Sequence, residues 1–315
     1  MKKILAMRIG KGLCNRLRVL LCAIAYSELT NRRLLLYWPK EEWFGANLSD
    51  LWEHPYQEIG SISNKILVSL AGGYRHYSSL HSQLDNPIIC LNTIYPFCVD
   101  DYPAPFMSYL SRLKLIEPLQ NRIDSFTAQE FAGNPVIGVS IRYNRAHPRT
   151  LKASPPQWFI RRINEIHAQF PNARFFLSTD CKEVSQLVRS ATSASICQLP
   201  RDYHSEVMSG IQEALCELYL LARTNYILGS YYSSFSETAG LILGESAYEN
   251  SQSIPDVDAF ASALALPKET SALLERSLPA ISGNTYPVNL PAATGTLTAS
   301  WQSIATSRAS KVKSK

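Results

Sequence analysis

Hydrophobic positions near the N-terminus follow two different periods and predict a strand, a helix and a second strand in that order. Residues 3–8 form a short apolar run that is typical of a buried strand. From residue 15 to about residue 29, apolar side chains recur at helical spacing. The run 34–38 is apolar throughout and stops at Pro39, which favours a strand of a parallel sheet with both faces buried.

The second half of the chain alternates between apolar runs and amphipathic segments. Strands are expected at residues 136–142, 173–178, 195–199 and 226–229. Helices are expected at residues 155–170, 181–190, 205–223 and 233–243. This alternation predicts an α/β fold whose parallel sheet is covered on both faces.

The segment between these two regions is less regular. Residues 65–70 and 87–92 are predicted to be strands, and residues 103–126 show scattered helical periodicity. A domain boundary is expected at residues 133–135, because a new strand begins immediately afterwards. The predicted domains are therefore 1–133 and 134–280. Residues 281–315 are rich in Ser, Thr, Ala and Gly and are expected to form a disordered tail.

Length and composition limit the classes of protein that remain. A chain of 315 residues is long enough for two domains that each bury a core. A hydrophobic content of 46% with 18% charged residues is typical of a globular chain. The formal charge of +5 suits an anionic small molecule and is too weak to indicate a nucleic-acid partner.

Cysteine spacing bears on metal binding, and hydropathy bears on cellular location. The seven cysteines include no C-x-x-C pair, so we expect reduced, mostly buried thiols and no zinc site. Only residues 4–7 are apolar before Arg8, which is too short for a secretory core. No run reaches the ~20 apolar residues of a membrane span. We therefore expect a cytoplasmic protein without a transmembrane segment.

The first strand leads into a glycine loop with the character of a phosphate cradle. Gly10 and Gly12 allow a backbone to approach an anion closely, and Asn15 follows them at the start of the helix. Arg16 and Arg18 add two cations to the first turn, beside the N–H groups of the helix start. The alternative is an ordinary doubly wound protein with a glycine-rich first turn.

In the second half, polar residues follow the predicted strands, where ligands of parallel sheets bind. Arg142 ends one apolar strand and Asp180 the next, and Ser233 and Ser234 open a helix. Each has an alternative. Arg142 is also suited to a surface ion pair, Asp180 to capping the following helix, and the serines to cap and turn positions. Glu217 lies within a predicted helix and by default belongs to its solvated face.

The first half of the chain resembles the N-terminal signature of the fucosyltransferase superfamily, which includes the Nod-factor, core N-glycan and peptide-O-fucosyltransferases. The resemblance consists of the glycine loop, the NRLR sequence at 15–18, the apolar helix, the NRR sequence at 31–33 and the strand that ends in Trp38. Residues 42–52 continue it with an aromatic and Asp-Leu pattern. The chain is similar to a divergent, bacterial-type member.

The second half resembles the same superfamily at three more places, and the resemblance implies roles. Residues 137–142 are similar to the family strand that ends in His-x-Arg-Arg, which gives Arg142 the contact with the donor pyrophosphate. Residues 175–180 resemble its Ala-Thr-Asp segment, which places Asp180 at the donor. Residues 217–236 resemble the acid-bearing helix, strand and Ser-x-Ser element that line the guanine nucleotide. This match assigns Glu217, Ser233, Ser234 and Ser236 to the donor site.

The departures from the family pattern concern catalysis. Ser140 replaces the usual His, and Tyr143 replaces the second Arg, where it is suited to stack or to form a hydrogen bond. Arg145 stands where the family tends to have an acidic residue. No general base can therefore be transferred, and His147, Asp50 and Glu53 are the possible substitutes.

The resemblance implies a GT-B-like fold, with two Rossmann-like domains facing across a cleft, an acceptor side in the first and the nucleotide sugar in the second. It implies an inverting, metal-independent transfer of fucose from GDP-fucose to a glycan hydroxyl, with no cofactor. The sequence Asp256-Val257-Asp258 lies outside the alternating core, so a coincidental match to a metal motif is favoured.

Two further hypotheses stay open. One is a catalytically silent protein that binds a nucleotide sugar or a glycan on the same scaffold. The other is a NAD-dependent oxidoreductase, with Glu41 or Glu42 after the second strand holding a ribose. Against the latter, Asn15 replaces the third glycine of the dinucleotide-binding fingerprint and Arg16 follows it.

Overall fold

The structure is a computed structural model and describes residues 3–77, 80, 84–97, 106–144, 146–204, 206–243 and 247–252. The chain forms two compact units. The first unit comprises Met1–Arg122 and His204–Cys216, and the second comprises Ile123–Tyr203 and the residues from Glu217 onward. The domain limits predicted at residues 133 and 280 stay predictions. The predicted tail and the segment 256–258 lie outside the described residues.

The first unit is built on a parallel sheet. Its elements are β1 (Ile4–Ile9), α1 (Leu13–Leu29), β2 (Arg33–Tyr37), a 3-10 turn (Leu48–Asp50), β3 (Trp52–Glu53), β4 (Gln57–Glu58), α2 (Ser61–Leu70), β5 (Ile88–Thr93), a 3-10 helix (Phe106–Arg112) and β6 (Lys114–Leu115). The sheet has the order β4-β2-β1-β5, and every pair in it is parallel. Strands β3 and β6 form a separate antiparallel ribbon. Helix α3 (Glu117–Glu130) begins in the first unit and ends in the second.

Most elements of the first unit are those that the hydrophobic pattern predicts. Strands β1, β2 and β5 and helix α1 are confirmed. The strand predicted at residues 65–70 is wrong, because these residues belong to helix α2. The apolar residues Ile62, Ile66 and Leu70 recur every four positions, which is a helical period that a six-residue window does not reveal.

The second unit is also built on a parallel sheet. Its elements are β7 (Val136–Ile141), α4 (Pro148–Ala153), α5 (Pro156–Gln169), β8 (Arg174–Thr179), α6 (Lys182–Ser190), β9 (Ser195–Cys197), α7 (Met208–Leu221, shared with the first unit), β10 (Tyr226–Gly229), α8 (Ser234–Leu243) and β11 (Tyr248–Asn250). The order is β11-β10-β7-β8-β9, with parallel pairs throughout. The strands and helices predicted in this half are confirmed, apart from small differences at their ends.

The pattern does not predict α4, β4 or β11. Each is short, and α4 is defined by its start rather than by a periodic apolar face. His147 is its N-cap, accepting a hydrogen bond at Nδ1 from the Arg149 N–H at 3.1 Å, and Pro148 occupies the first helical position. Strand β11 is a three-residue edge strand, too short for an alternation to be visible.

Strand order fixes where a ligand can enter each sheet. In the second unit, β8 and β9 lie on one side of β7, whereas β10 and β11 lie on the other. In the first unit, β2 and β4 lie on one side of β1 and β5 lies on the other. Such reversals leave a crevice at the carboxyl ends of the two central strands. The loops after β7 and β10 therefore frame one crevice, and the loops after β1 and β5 frame another.

Two further observations concern thiols and membranes. The cysteines that the structure describes are all buried and form no disulfide with one another, namely Cys14, Cys22, Cys90, Cys181, Cys197 and Cys216. Burial raises the pKa of Cys90 and of Cys197 to about 11, which keeps these thiols protonated and unreactive.

Within the described part of the chain, no helix has the length and apolar character needed to span a membrane.

Glycine at the end of β10 is required by packing. A Cβ placed on Gly229 would lie 2.5 Å from Cε2 and 2.6 Å from Oη of Tyr248. The Tyr248 ring also approaches Gly240 of α8, where a Cβ would lie 2.8 Å from Cδ2. Two glycines thus make room for one aromatic ring between β10 and α8.

We predict that Gly229→Ala lowers the free energy of unfolding by about 1–3 kcal/mol, because the ring has to move. Urea denaturation of the variant measures the loss. In a Tyr248→Ala background the same substitution should cost much less, since the obstruction is gone. Equal costs in the two backgrounds would contradict the packing argument.

Candidate functional site

The carboxyl end of β7 presents one arginine. All residues of β7 are buried, including Ser140 at the position of the family's His. At Arg142 the chain leaves the sheet, and its side chain is 41% exposed. The Arg142 N–H donates to Oγ of Ser230 at 2.9 Å, and its Nη1 lies 2.7 Å from Oδ2 of Asp180. Ser230 therefore holds the backbone of Arg142, and Asp180 pairs with the guanidinium, much of which stays accessible.

Asp180, which follows β8, holds the loop after β7. Its Oδ1 accepts hydrogen bonds from the N–H groups of Tyr143 at 2.8 Å and Asn144 at 3.0 Å. The Asn144 side chain donates to the Asp180 carbonyl at 2.6 Å. The alternative role of Asp180 as a helix cap is wrong, because Cys181 is the N-cap of α6 and no side chain caps that helix.

The serines after β10 divide into structural and accessible groups. Ser236 is fully buried, and its Oγ lies 3.1 Å from the Ser230 carbonyl oxygen and 3.3 Å from that of Ser233. Ser233 is buried too, and its carbonyl accepts the Glu237 N–H at 3.0 Å, as expected before the first turn of α8. Ser234 begins α8 and is half-buried. Ser236 thus braces the loop, whereas Ser234 stands at its outer side.

Glu217 is enclosed rather than solvated. It is 1% exposed, so its assignment to a solvated helix face is wrong. Its Oε2 accepts hydrogen bonds from Oγ of Ser178 at 2.9 Å and from Nη1 of Arg201 at 2.8 Å. Arg201 also donates to the Thr179 carbonyl at 3.1 Å. The predicted contact of Glu217 with the guanine of the donor nucleotide stays a prediction, and the burial of Glu217 disfavours it.

Sequence reasoning missed Arg201. It lies in an irregular segment between β9 and α7, where no apolar period identifies a buried position. Its guanidinium carbon lies 5.0 Å from the centroid of the Tyr203 ring, and Tyr203 has a positive φ of 63°. The one signal for Arg201 was the general rule that a buried carboxylate, such as that of Glu217, requires a cation nearby.

The remaining candidates from the sequence are Tyr143, Arg145 and the possible general bases. Tyr143 is exposed, and Arg145 lies outside the described residues. Of the possible bases, His147 caps α4, and Asp50 closes a capping box by accepting the Asn47 N–H at 2.7 Å. Glu53 is exposed on the short β3 strand. Only Glu53 among these bases has no capping role.

In the first unit, the glycine loop binds an anion that belongs to the protein. The Glu41 carboxylate, beyond the end of β2, accepts the Lys11 N–H at 2.9 Å and pairs with Nη2 of Arg8 at 3.2 Å. A Cβ on Gly10 would lie 2.9 Å from Oε1 of Glu41, which explains the glycine there. A Cβ on Gly12, the N-cap of α1, would meet nothing within 4 Å. One N–H of the loop is therefore bound by a carboxylate of the protein, and the predicted phosphate contact of Gly10 and Gly12 stays a prediction.

Arg16 is the buried partner of this carboxylate. It is fully buried, and its guanidinium donates to Oε2 of Glu41 at 3.1 Å and to the carbonyls of Lys11, Ile9 and Pro39 at 2.6, 3.0 and 3.0 Å. Burial lowers the pKa of Arg16 to about 10, against the opposing charge of Glu41. The predicted contact of Arg16 with an external anion stays a prediction, and these partners disfavour it.

Asn15 has a local partner as well. Its Oδ1 accepts a hydrogen bond from Nη2 of Arg18 at 3.1 Å. Arg18 is itself buried. Asn15, Arg16 and Arg18 thus all have polar partners within the protein.

Two parallel α/β sheets with these strand orders match the GT-B fold, and specifically the fold of fucosyltransferase structures. The fucosyltransferase NodZ from Bradyrhizobium matches with a TM-score of 0.55 and 18% identity over 76% of this chain and 93% of that one. Arabidopsis thaliana FUT1 in complex with GDP matches at 0.56 and 15% over 79% and 70%. POFUT1 in complex with GDP matches at 0.52 and 11% over 79% and 98%.

These comparisons confirm the similarity to fucosyltransferases as a similarity of fold. At 11–18% identity the structures carry no direct statement about substrate. No family model matches the chain, and no curated protein does.

The buried Arg16 makes the stability of the first unit sensitive to Glu41. We predict that Glu41→Ala lowers the free energy of unfolding by about 3–5 kcal/mol, because it leaves a buried cation without its counter-ion. Glu42→Ala is the matched control, since Glu42 is the exposed neighbour and its loss should change stability by less than about 0.5 kcal/mol. Chemical denaturation compares the two. Equal effects would show that the Arg16–Glu41 pair contributes little.

Proposed function

We propose that the protein is a glycosyltransferase that transfers fucose from GDP-fucose to a glycan hydroxyl with inversion and without a metal ion. The observation that carries the proposal is the half-exposed Arg142 at the end of the central strand β7. The GT-B fold supports it, because similar structures contain GDP, and crystals of NodZ were soaked with GDP-fucose.

The donor belongs to the crevice of the second unit in this proposal. Arg142 follows β7, and the start of α8 follows β10, so the two frame the place where the strand order reverses. The N–H groups at the start of α8 and the Ser234 hydroxyl are suited to phosphate oxygens. A guanidinium can hold two such oxygens at once. Tyr143, exposed beside Arg142, is suited to stack or to form a hydrogen bond with the donor.

The chemistry follows from where charge develops. The acceptor oxygen attacks the anomeric carbon of fucose while the bond from that carbon to the diphosphate oxygen breaks. The acceptor proton leaves to a base, and the bonding electrons leave with GDP. Negative charge therefore increases on the diphosphate, and Arg142 stabilises it more in the transition state than in the ground state. Asp180 and Ser230 fix the arginine before the reaction begins.

Arg142→Ala should lower kcat/KM. The loss should correspond to about 2.7–4 kcal/mol of transition-state stabilisation, if Arg142 acts as other preorganised donors do. Arg142→Lys should recover only part, because an ammonium lacks the forked contact. Arg161→Ala is the control, since Arg161 is an exposed arginine on α5 with a surface partner. The assay measures fucose transfer from GDP-fucose together with calorimetric binding of GDP. Unchanged turnover in Arg142→Ala would overturn the site.

Metal independence is tested separately. The described residues contain no cluster of three or more His, Cys, Asp or Glu side chains placed to hold a metal ion. We expect the transfer rate to be unchanged in EDTA, because fixed cations and N–H dipoles meet the charge of the leaving diphosphate. Loss of activity in EDTA and its return with Mg²⁺ or Mn²⁺ would contradict this mechanism.

One alternative has an observation in its favour. A silent nucleotide-sugar or glycan-binding protein would need no general base, and His147 and Asp50 are engaged in capping. It would bind GDP and give no turnover with any acceptor. The oxidoreductase hypothesis is weakened, because Glu41 is bound by Arg8, Arg16 and the Lys11 N–H rather than placed for a ribose.

A further inference from the structure

A tight turn in the first unit presents an exposed tryptophan. The N–H of Glu41 donates to the Phe44 carbonyl at 3.0 Å, and the N–H of Phe44 donates to the Glu41 carbonyl at 2.8 Å. Glu42 and Trp43 are therefore the two residues at the tip of a closed turn. Trp43 is 42% exposed, whereas Trp38 and Trp52 of the same unit are buried.

The base of this turn is rigid. Phe44 is fully buried, lies edge-to-face with Trp38 at 5.8 Å between centroids, and packs against the Arg16 guanidinium at 3.9 Å. Glu41 is held by Arg8, by Arg16 and by the Lys11 N–H. The backbone of the turn is therefore ordered before a ligand binds, which lowers the entropic cost of binding.

One charged group lies beside the indole, and other polar groups lie at the same edge of the sheet. The Lys11 Nζ lies 5.5 Å from the centroid of the Trp43 ring. Space is open beside Gly12, where a Cβ would meet no atom within 4 Å. The Asn92 Oδ1, at the end of β5, accepts a hydrogen bond from Nη1 of Arg8 at 3.3 Å. All of these residues lie at the carboxyl ends of the parallel strands, the edge where ligands bind.

The exposed aromatic ring makes a sugar the ligand that matches this surface. Arg16 is fully buried and both Arg8 and Arg16 pair with Glu41, so the Trp43 indole and the Lys11 side chain are the main exposed groups. A pyranose ring has an apolar C–H face that suits an aromatic ring and hydroxyls at its rim that suit an ammonium or amide group. Exposed tryptophan with a few placed polar groups is the combination that such a ring requires.

We propose that Trp43 and Lys11 form a subsite for the acceptor glycan, in which a neutral pyranose ring stacks on the indole and Lys11 donates a hydrogen bond to a ring hydroxyl. This assignment rests on the proposed glycosyltransferase function, because it makes the ligand of the first unit the acceptor. It explains why an exposed aromatic residue lies beside Lys11 of the glycine loop.

The test uses the full chain, with GDP present, and a panel of neutral tetrasaccharides with cellulose, chitin, maltose-type and xylan linkages. Binding is measured by calorimetry and by saturation-transfer NMR. Trp43→Ala should weaken binding of the preferred glycan by about tenfold or more, as removal of an aromatic anchor does. Trp43→Phe should retain part of the affinity. Lys11→Met, which keeps the apolar stem, should cost less than Trp43→Ala.

Ile62→Ala is the matched control, because Ile62 is a 76% exposed apolar residue on α2 of the same unit. It should leave glycan binding unchanged, and GDP affinity should be unchanged in all these variants. Unaltered glycan affinity in Trp43→Ala would overturn the subsite, as would binding of no glycan of the panel by the parent protein. Failure of the proposed function looks different, since the parent would then bind a glycan through Trp43 but neither bind GDP nor transfer fucose.

Discussion

A carboxylate from a neighbouring strand holds the loop that follows the central strand of each sheet. In the first unit, Glu41 follows β2 and accepts the Lys11 N–H of the loop after β1. In the second unit, Asp180 follows β8 and accepts the N–H groups of Tyr143 and Asn144 after β7. Parallel strands place these loops at one edge, where backbone donors have no sheet partner and need an acceptor. The geometry of each crevice depends on that one contact.

The two units differ in what the carboxylate leaves exposed. Glu41 pairs with the fully buried Arg16, so the arginine that follows the glycine loop is enclosed in the protein. Asp180 pairs with Arg142, whose side chain is 41% exposed. The two pairings therefore differ in exposure, because the arginine of the second unit stays accessible whereas Arg16 is enclosed. This difference in exposure is the physical basis of the proposed division of roles.

The sequence predicted the parallel strands and the position of Arg142, because long apolar runs and a charge at a strand end are local patterns. It did not predict the burial of Arg16 or Glu217, since a charged side chain within a helix is exposed by default. Their partners, Glu41 and Arg201, come from distant or irregular segments, and no local pattern shows such pairings. The loop after β1 was therefore interpreted as a phosphate cradle without any role for Glu41, whose carboxylate accepts the Lys11 N–H.

Calorimetric titration with GDP-fucose, UDP-glucose, dTDP-rhamnose and NAD tests the central claim most directly, because each ligand offers a diphosphate and only the attached groups differ. The account predicts that GDP-fucose binds more tightly than the other three ligands. The diphosphate should contribute to the affinity of all four, and the guanine only to that of GDP-fucose. Preferential binding of UDP-glucose or dTDP-rhamnose would contradict the assigned donor. Preferential binding of NAD would contradict the proposed class of enzyme.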